Sequence, residues 1–159
     1  MKRLPILFFL LLLAACSANG ETKTAAPDPY PSLHNEAFTT TCLEIGSIMK
    51  EFHNFYLEAT ADETIITSGE ATDHFNMLFD QLNELTEVYF EEVNHIVKDD
   101  LYRAFGDSFD PFLDSVTVMQ RGAYTADVNR FKEAEEGLTL SLERLAGWKS
   151  LLQEAKDEE

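Results

Sequence analysis

The chain has 159 residues, with 29 acidic against 12 basic side chains and a formal net charge of −17 at pH 7. So acidic a balance excludes the phosphate-neutralising surface that drives nucleic-acid binding, and equally an electrostatic attraction to anionic lipid. Forty-five per cent apolar residues, with 12 Phe and five Tyr among them, supply one globular core, and the length suits a single domain.

At the N-terminus, Lys2 and Arg3 precede an uncharged apolar run over 4–15, and small or polar residues follow. This is the layout of a secretory signal. A helix crossing a hydrocarbon core needs about 20 residues, so a run of 12 is too short for a comfortable span. The run ends in Leu13-Ala14-Ala15-Cys16, which resembles the lipobox of bacterial lipoproteins. That resemblance covers about the first 20 residues. It implies cleavage between Ala15 and Cys16, a diacylglyceryl group on the Cys16 thiol and, often, an acyl chain such as palmitate on the freed amine. It implies an extracytoplasmic protein held to the outer membrane of a Gram-negative cell, to which Ser17 is suited, or to the cell membrane of a Gram-positive one. Two or more acyl chains anchor stably where one binds marginally. The competing readings are a secreted protein with an Ala-x-Ala style cleavage site and an uncleaved N-terminal anchor.

Loss of residues 1–15 would remove Lys2 and Arg3 and no acid, moving the balance from −17 to −19. With Cys16 assigned to lipid, Cys42 is left without an intramolecular disulfide partner. Residues 16–32 carry Pro27, Pro29 and Pro31 and show no apolar periodicity, which reads as a semi-rigid tether with a reach of several tens of ångström at about 3.1 Å per residue. A folded domain is expected over 33–159.

Four helices are expected there. The first, about 33–60, carries Phe38, Cys42, Ile45, Met49, Phe52, Tyr56 and Ala59 at alternating spacings of four and three, the seam of a packed helix. This places Cys42 in the core as a small hydrophobe. Thr67 and Glu70 read as a capping box for a second helix over about 68–100, with Phe75, Leu78, Leu82, Leu85, Tyr89 and Ile96 as its stripe. Gly106 reads as a stop, and Asp110-Pro111 as the N-cap and first residue of a third, shorter helix to about 121. Whether 100–126 form one kinked helix or two is left open. The last helix, about 126–155, presents Val128, Phe131, Leu138, Leu142, Leu145, Trp148 and Leu152, and Glu135 interrupts its seam. With no convincing strand alternation, the expected fold is all-α, an up-and-down four-helix bundle.

Candidate chemistry is sparse. Glu92-x-x-His95 has the spacing of a di-iron carboxylate motif, but that site needs a second copy and two further inward glutamates, and neither is present. Met49 with His53, and His74 with Met77, share helical faces that suit soft metals, although Met49 already belongs to the seam. The plainer reading pairs Glu70 with His74, and Glu91 or Glu92 with His95, as exposed helical neighbours. No metal or other cofactor is assigned, with Glu92, His95, His53 and Met49 the residues to test. The chain lacks Gly-x-Ser-x-Gly, His-Glu-x-x-His and the P-loop pattern, and no catalytic residue is nominated. The expectation is a lipid-anchored helical bundle of the cell envelope, not an enzyme, that binds another envelope protein or serves a structural role. The alternative is a bundle that binds a small ligand or metal.

Overall fold

The computed structural model describes residues 28–158, and among them every regular element is helical. A 3-10 turn, Pro31–His34, leads into α1 (Glu36–Ala61). A single turn, α2 (Thr64–Thr67), precedes α3 (Glu70–Val93). Next come α4 (Asp100–Thr125), the short α5 (Val128–Lys132) and α6 (Glu135–Asp157). The long helices α1, α3, α4 and α6 alternate in direction. Asn35 at the start of α1 bonds Glu92 at the end of α3, and Thr72 at the start of α3 bonds the Ala123 carbonyl near the end of α4. The most extensive interface joins α4 to α6, followed by α1 to α3. The fold is thus an all-α, up-and-down bundle.

The seam expected on α1 is buried along its whole length, Cys42 included. Thr41, Ile48 and Phe55 are buried beside it, so this helix faces α3 as well as the bundle centre. The folded part begins earlier than residue 33, because Ser32 is fully buried in the 3-10 turn.

Three boundaries differ from the sequence expectation, each for a physical reason. First, the second long helix stops at Val93, and a new one starts at Asp100. Asp99 has extended backbone and its carboxylate accepts from Tyr102 N at 2.9 Å, which is an N-cap followed by an acid in the first turn. Second, α4 runs unbroken through Gly106 and Pro111, so residues 100–125 form one helix. A proline in mid-helix removes the N–H that would reach the carbonyl four residues back, here that of Asp107. Arg144 Nη1, from α6, donates to the Asp107 carbonyl at 2.8 Å instead. Phe105, Phe109, Phe112 and Val116 are buried on both sides of the proline, and a break at Asp110 would pull that stripe apart. Third, the final helix divides at Glu133 and Ala134. Ala134 is buried where exposed Glu135 interrupts the apolar spacing.

The capping box at Thr67 does not form. The N-cap of α3 is Gly69, with a φ of 90° and no side-chain bond to the helix, a left-handed conformation that favours glycine. Thr67 Oγ1 instead donates back to the carbonyls of Glu63 and Thr64. At the end of α4, Ala126 takes the left-handed position (φ 51°). Asp127 N bonds the Gly122 carbonyl and Ala126 N that of Ala123, the pairing of a Schellman stop.

The core is filled in two ways. One part is aromatic and joins all four long helices: Phe52 of α1 meets Phe75 of α3 and Phe112 of α4 edge-on at 5.6 and 5.5 Å, and Phe105 of α4 meets Trp148 of α6 at 5.1 Å. Each such ring contributes roughly 1.5–3 kcal/mol by burial. Elsewhere along the α4–α6 contact it is made of small residues. A Cβ on Gly137 would lie 2.1 Å from Ser115 Oγ, and Ser108 and Ser141 are also fully buried. These three serines donate to carbonyls of their own helices, at Phe105, Pro111 and Leu138, so their hydroxyls are satisfied and the side chains act as spacers.

This packing predicts that Gly137→Ala lowers unfolding free energy by about 1–3 kcal/mol through overpacking. Adding Ser115→Ala removes the clashing oxygen and restores most of the loss. Urea unfolding followed by Trp148 emission measures both. A double variant no more stable than Gly137→Ala would show that the helices are not held apart by this contact.

Candidate functional site

The most heavily cross-linked polar region lies at the pole where the described chain begins. Ser32 donates its backbone N–H to Asp99 Oδ2 at 2.7 Å and its hydroxyl to Asp99 Oδ1 at 2.8 Å. The same Oδ1 caps α4 through Tyr102 N. One carboxylate therefore both starts α4 and clasps the N-terminal segment. Asn35 works the same way: its Oδ1 accepts from Phe38 N to cap α1, while its Nδ2 donates to Glu92 Oε2 at 3.0 Å, tying α1 to the end of α3.

The clasp is extended by weaker contacts. Lys98 Nζ sits 5.7 Å from the centre of the Tyr102 ring, and Tyr102 lies 6.2 Å from Phe38. His34 Nε2 pairs with Asp28 Oδ2 at 2.9 Å. A shallow hollow lined by Pro29, Tyr30, Leu33 and Ala155 brings the chain beside the end of α6. Chemically this arrangement holds a chain segment in place. Whatever precedes residue 28 is joined to the bundle here, at the start of α1 and α4 and the end of α3 and α6.

Cys16 and Ala15 lie outside the described residues. Of the metal candidates, Glu92 is engaged by Asn35, and His95 is exposed in the α3–α4 loop, beyond the end of the helix. Met49 and His53 lie about 20 and 27 Å further along α1 than Asn35, at 1.5 Å per residue. Met49 is fully buried. His53 has a buried Nδ1 without a hydrogen-bond partner, and its ring lies 6.5 Å from that of Tyr56. The structure therefore does not bring the four together, and among the described residues no group of three or more His, Cys, Asp or Glu is placed to share a metal ion. His74 does not pair with Glu70; its ring stacks on Phe55 at 4.4 Å.

Burial pushes the Cys42 thiol far above its ordinary range, which disfavours the thiolate needed of a nucleophile or metal ligand. Burial, and then Glu135, raise the Tyr56 hydroxyl, which also donates to the Lys132 carbonyl at 3.3 Å. Hydrogen bonds from the Thr64 hydroxyl and N–H hold the exposed Asp62 carboxyl below its usual value. These perturbations are scattered along the bundle, and none meets a second reactive group across a cleft.

The sequence alone does not reveal the clasp, since Asp99 and Asp100 stand there simply as two adjacent acids. The available signal was local: an acid followed by helix-period residues, Leu101, Phe105, Phe109 and Phe112. The partner Ser32, 67 residues away, had no signal at all.

Asp99→Asn keeps one oxygen for the cap but loses the acceptor for Ser32 N–H, and is expected to cost about 1 kcal/mol. Asp99→Ala loses cap and clasp together and is expected to cost about 2–3 kcal/mol. Urea unfolding gives the ranking, and cleavage by a low dose of protease near residue 30 should rise in the same order. An Asp99→Asn variant as stable as the natural chain would show that the clasp adds nothing to the cap.

Compared with protein-family models, curated proteins and solved structures, the chain finds no match, and its functional reading rests on its own residues.

Proposed function

We propose that the protein is a lipid-anchored extracytoplasmic lipoprotein whose helical bundle serves as a non-catalytic binding or structural module of the cell envelope. The observation that carries this reading is Leu13-Ala14-Ala15-Cys16 at the end of a short apolar run behind Lys2 and Arg3. The fold supports it in two respects. No helix among the described residues is long and apolar enough to cross a membrane, and the acidic surface offers no attraction to anionic headgroups, so attachment falls to the acyl chains on Cys16. The clasp at Asp99 then fixes which pole of the bundle the anchored segment joins.

The contents of the surface and core are in keeping with a binding role. The polar residues converge on fastening the chain rather than on a reacting centre, and most exposed apolar side chains, Leu43, Leu57, Met77, Val88 and Phe90, lie on the flanks of α1 and α3. Glu92, His95, His53 and Met49 are too far apart to support a shared metal.

Fractionation of cells expressing the full chain tests the anchor. Cys16→Ser is expected to abolish incorporation of labelled fatty acid and to release the protein from the membrane fraction. A variant that still sediments with membrane would contradict the proposal. In-cell crosslinking of the intact protein, followed by identification of what co-purifies reproducibly, tests the binding role.

A further inference from the structure

A groove runs between α1 and α3, away from the clasp. Its lining consists of Ile48 and Leu85 with Ser47 and Gln81, and carboxylates flank it from both helices, Glu44 on α1 and Glu84 on α3. Ile48 is 7 % exposed and Leu85 half-buried. The face continues along α3 as a strip of Met77, Leu85 and Val88, with polar Gln81 between the first two, at spacings of four, four and three. Met77 is 51 % exposed and Val88 43 %. From Met77 to Val88 the strip is about 16 Å long at 1.5 Å per residue, three helical turns.

We propose that this groove is the docking site for a cationic amphipathic helix of an envelope partner. The fit is one of shape and charge. A helix laid along the strip would bury its apolar face on Ile48, Leu85, Met77 and Val88. Lysines or arginines on its flanks would meet Glu44 and Glu84, and no basic side chain lines the groove to oppose them. Thioether flexibility at Met77 suits it to an adaptable contact. The formal charge of −17 draws cationic segments to the molecule from a distance, and the apolar floor is what localises them here. The same carboxylates repel anionic lipid, nucleic acid and the acidic groove of a second copy. The proposal rests on the binding-module reading and gives the partner its chemistry.

The test uses the chain from residue 16 onward, carrying Cys16→Ser, so that lipidation plays no part in the outcome. The probe is a synthetic helix of about 18 residues with leucine on one face at spacings of three and four and lysine elsewhere, titrated calorimetrically. The expected result is binding in about the micromolar range. Met77→Gln with Val88→Gln should weaken it about tenfold, and Glu44→Lys with Glu84→Lys about tenfold with a shallower salt dependence. Glu136→Lys with Glu143→Lys makes the same change of charge on α6 and should leave affinity within about twofold. Trp148 emission verifies that each variant is folded. The proposal is overturned by absence of binding, by equal binding of a scrambled peptide of the same composition, by indifference to Met77→Gln with Val88→Gln, or by equal loss in the α6 charge variant. Any of these would leave the Cys16 fractionation result standing, and failure of that fractionation would leave the groove intact.

Discussion

The bundle depends on how closely α4 approaches α6. Gly137 leaves no side chain where Ser115 and the Pro111 carbonyl come nearest, and buried Ser108 and Ser141 keep the rest of that interface narrow. At this distance Arg144 reaches across to the Asp107 carbonyl, the group that Pro111 leaves without its helical donor. A proline that would end an isolated helix is thus accommodated inside one, because the neighbouring helix supplies the missing hydrogen bond. The aromatic layer follows from the same geometry. Phe105, Phe109 and Phe112 stay on one continuous face of α4, where they meet Trp148, Tyr89 and Phe52.

What was legible in the sequence was periodicity. The seam on α1, the number of long helices and the burial of Cys42 could all be read from spacings of three and four, since burial of a helical face obeys a local rule. What was not legible was set by contacts between distant residues. Asp110-Pro111 has the local chemistry of a helix start, and contacts with other helices override it, the Arg144 hydrogen bond and the burial of the Phe105, Phe109, Phe112 and Val116 stripe. Asp99-Asp100 has the local chemistry of a charge run, and only Ser32 reveals its double role. Thr67-Ser68-Gly69-Glu70 resembles a capping box, yet Gly69 takes a left-handed conformation that turns the chain before the threonine can cap. For the candidate site the balance is less favourable still. Cys16 was nominated from a local motif, whereas the clasp and the α1–α3 groove arise from helices that the sequence places far apart.

The functional picture assigns separate tasks to separate parts of the molecule. In the proposed reading the lipobox-like leader would handle attachment, the Asp99 clasp fixes the pole at which the N-terminal segment meets the bundle, and the flank of α1 and α3 would offer a surface to a partner. None of these tasks requires a perturbed acid or base. The strongest shifts belong to Cys42 and Tyr89, which burial holds in their neutral forms inside the core. Their surroundings are those of packing residues, with the aromatic rings of Phe38, Phe105 and Phe109 about 5.5–6.0 Å from Tyr89.

The central structural claim is that α6 completes α4 at its proline, and a double-mutant cycle between Pro111 and Arg144 tests it most directly. Arg144→Met should cost about 1 kcal/mol of unfolding free energy in the natural chain, where the Asp107 carbonyl loses its donor. In a Pro111→Ala background the helix supplies its own N–H, so the same substitution should cost only about a few tenths of a kcal/mol. Equal costs in the two backgrounds would contradict the account and show that Arg144 does not stand in for the missing hydrogen bond.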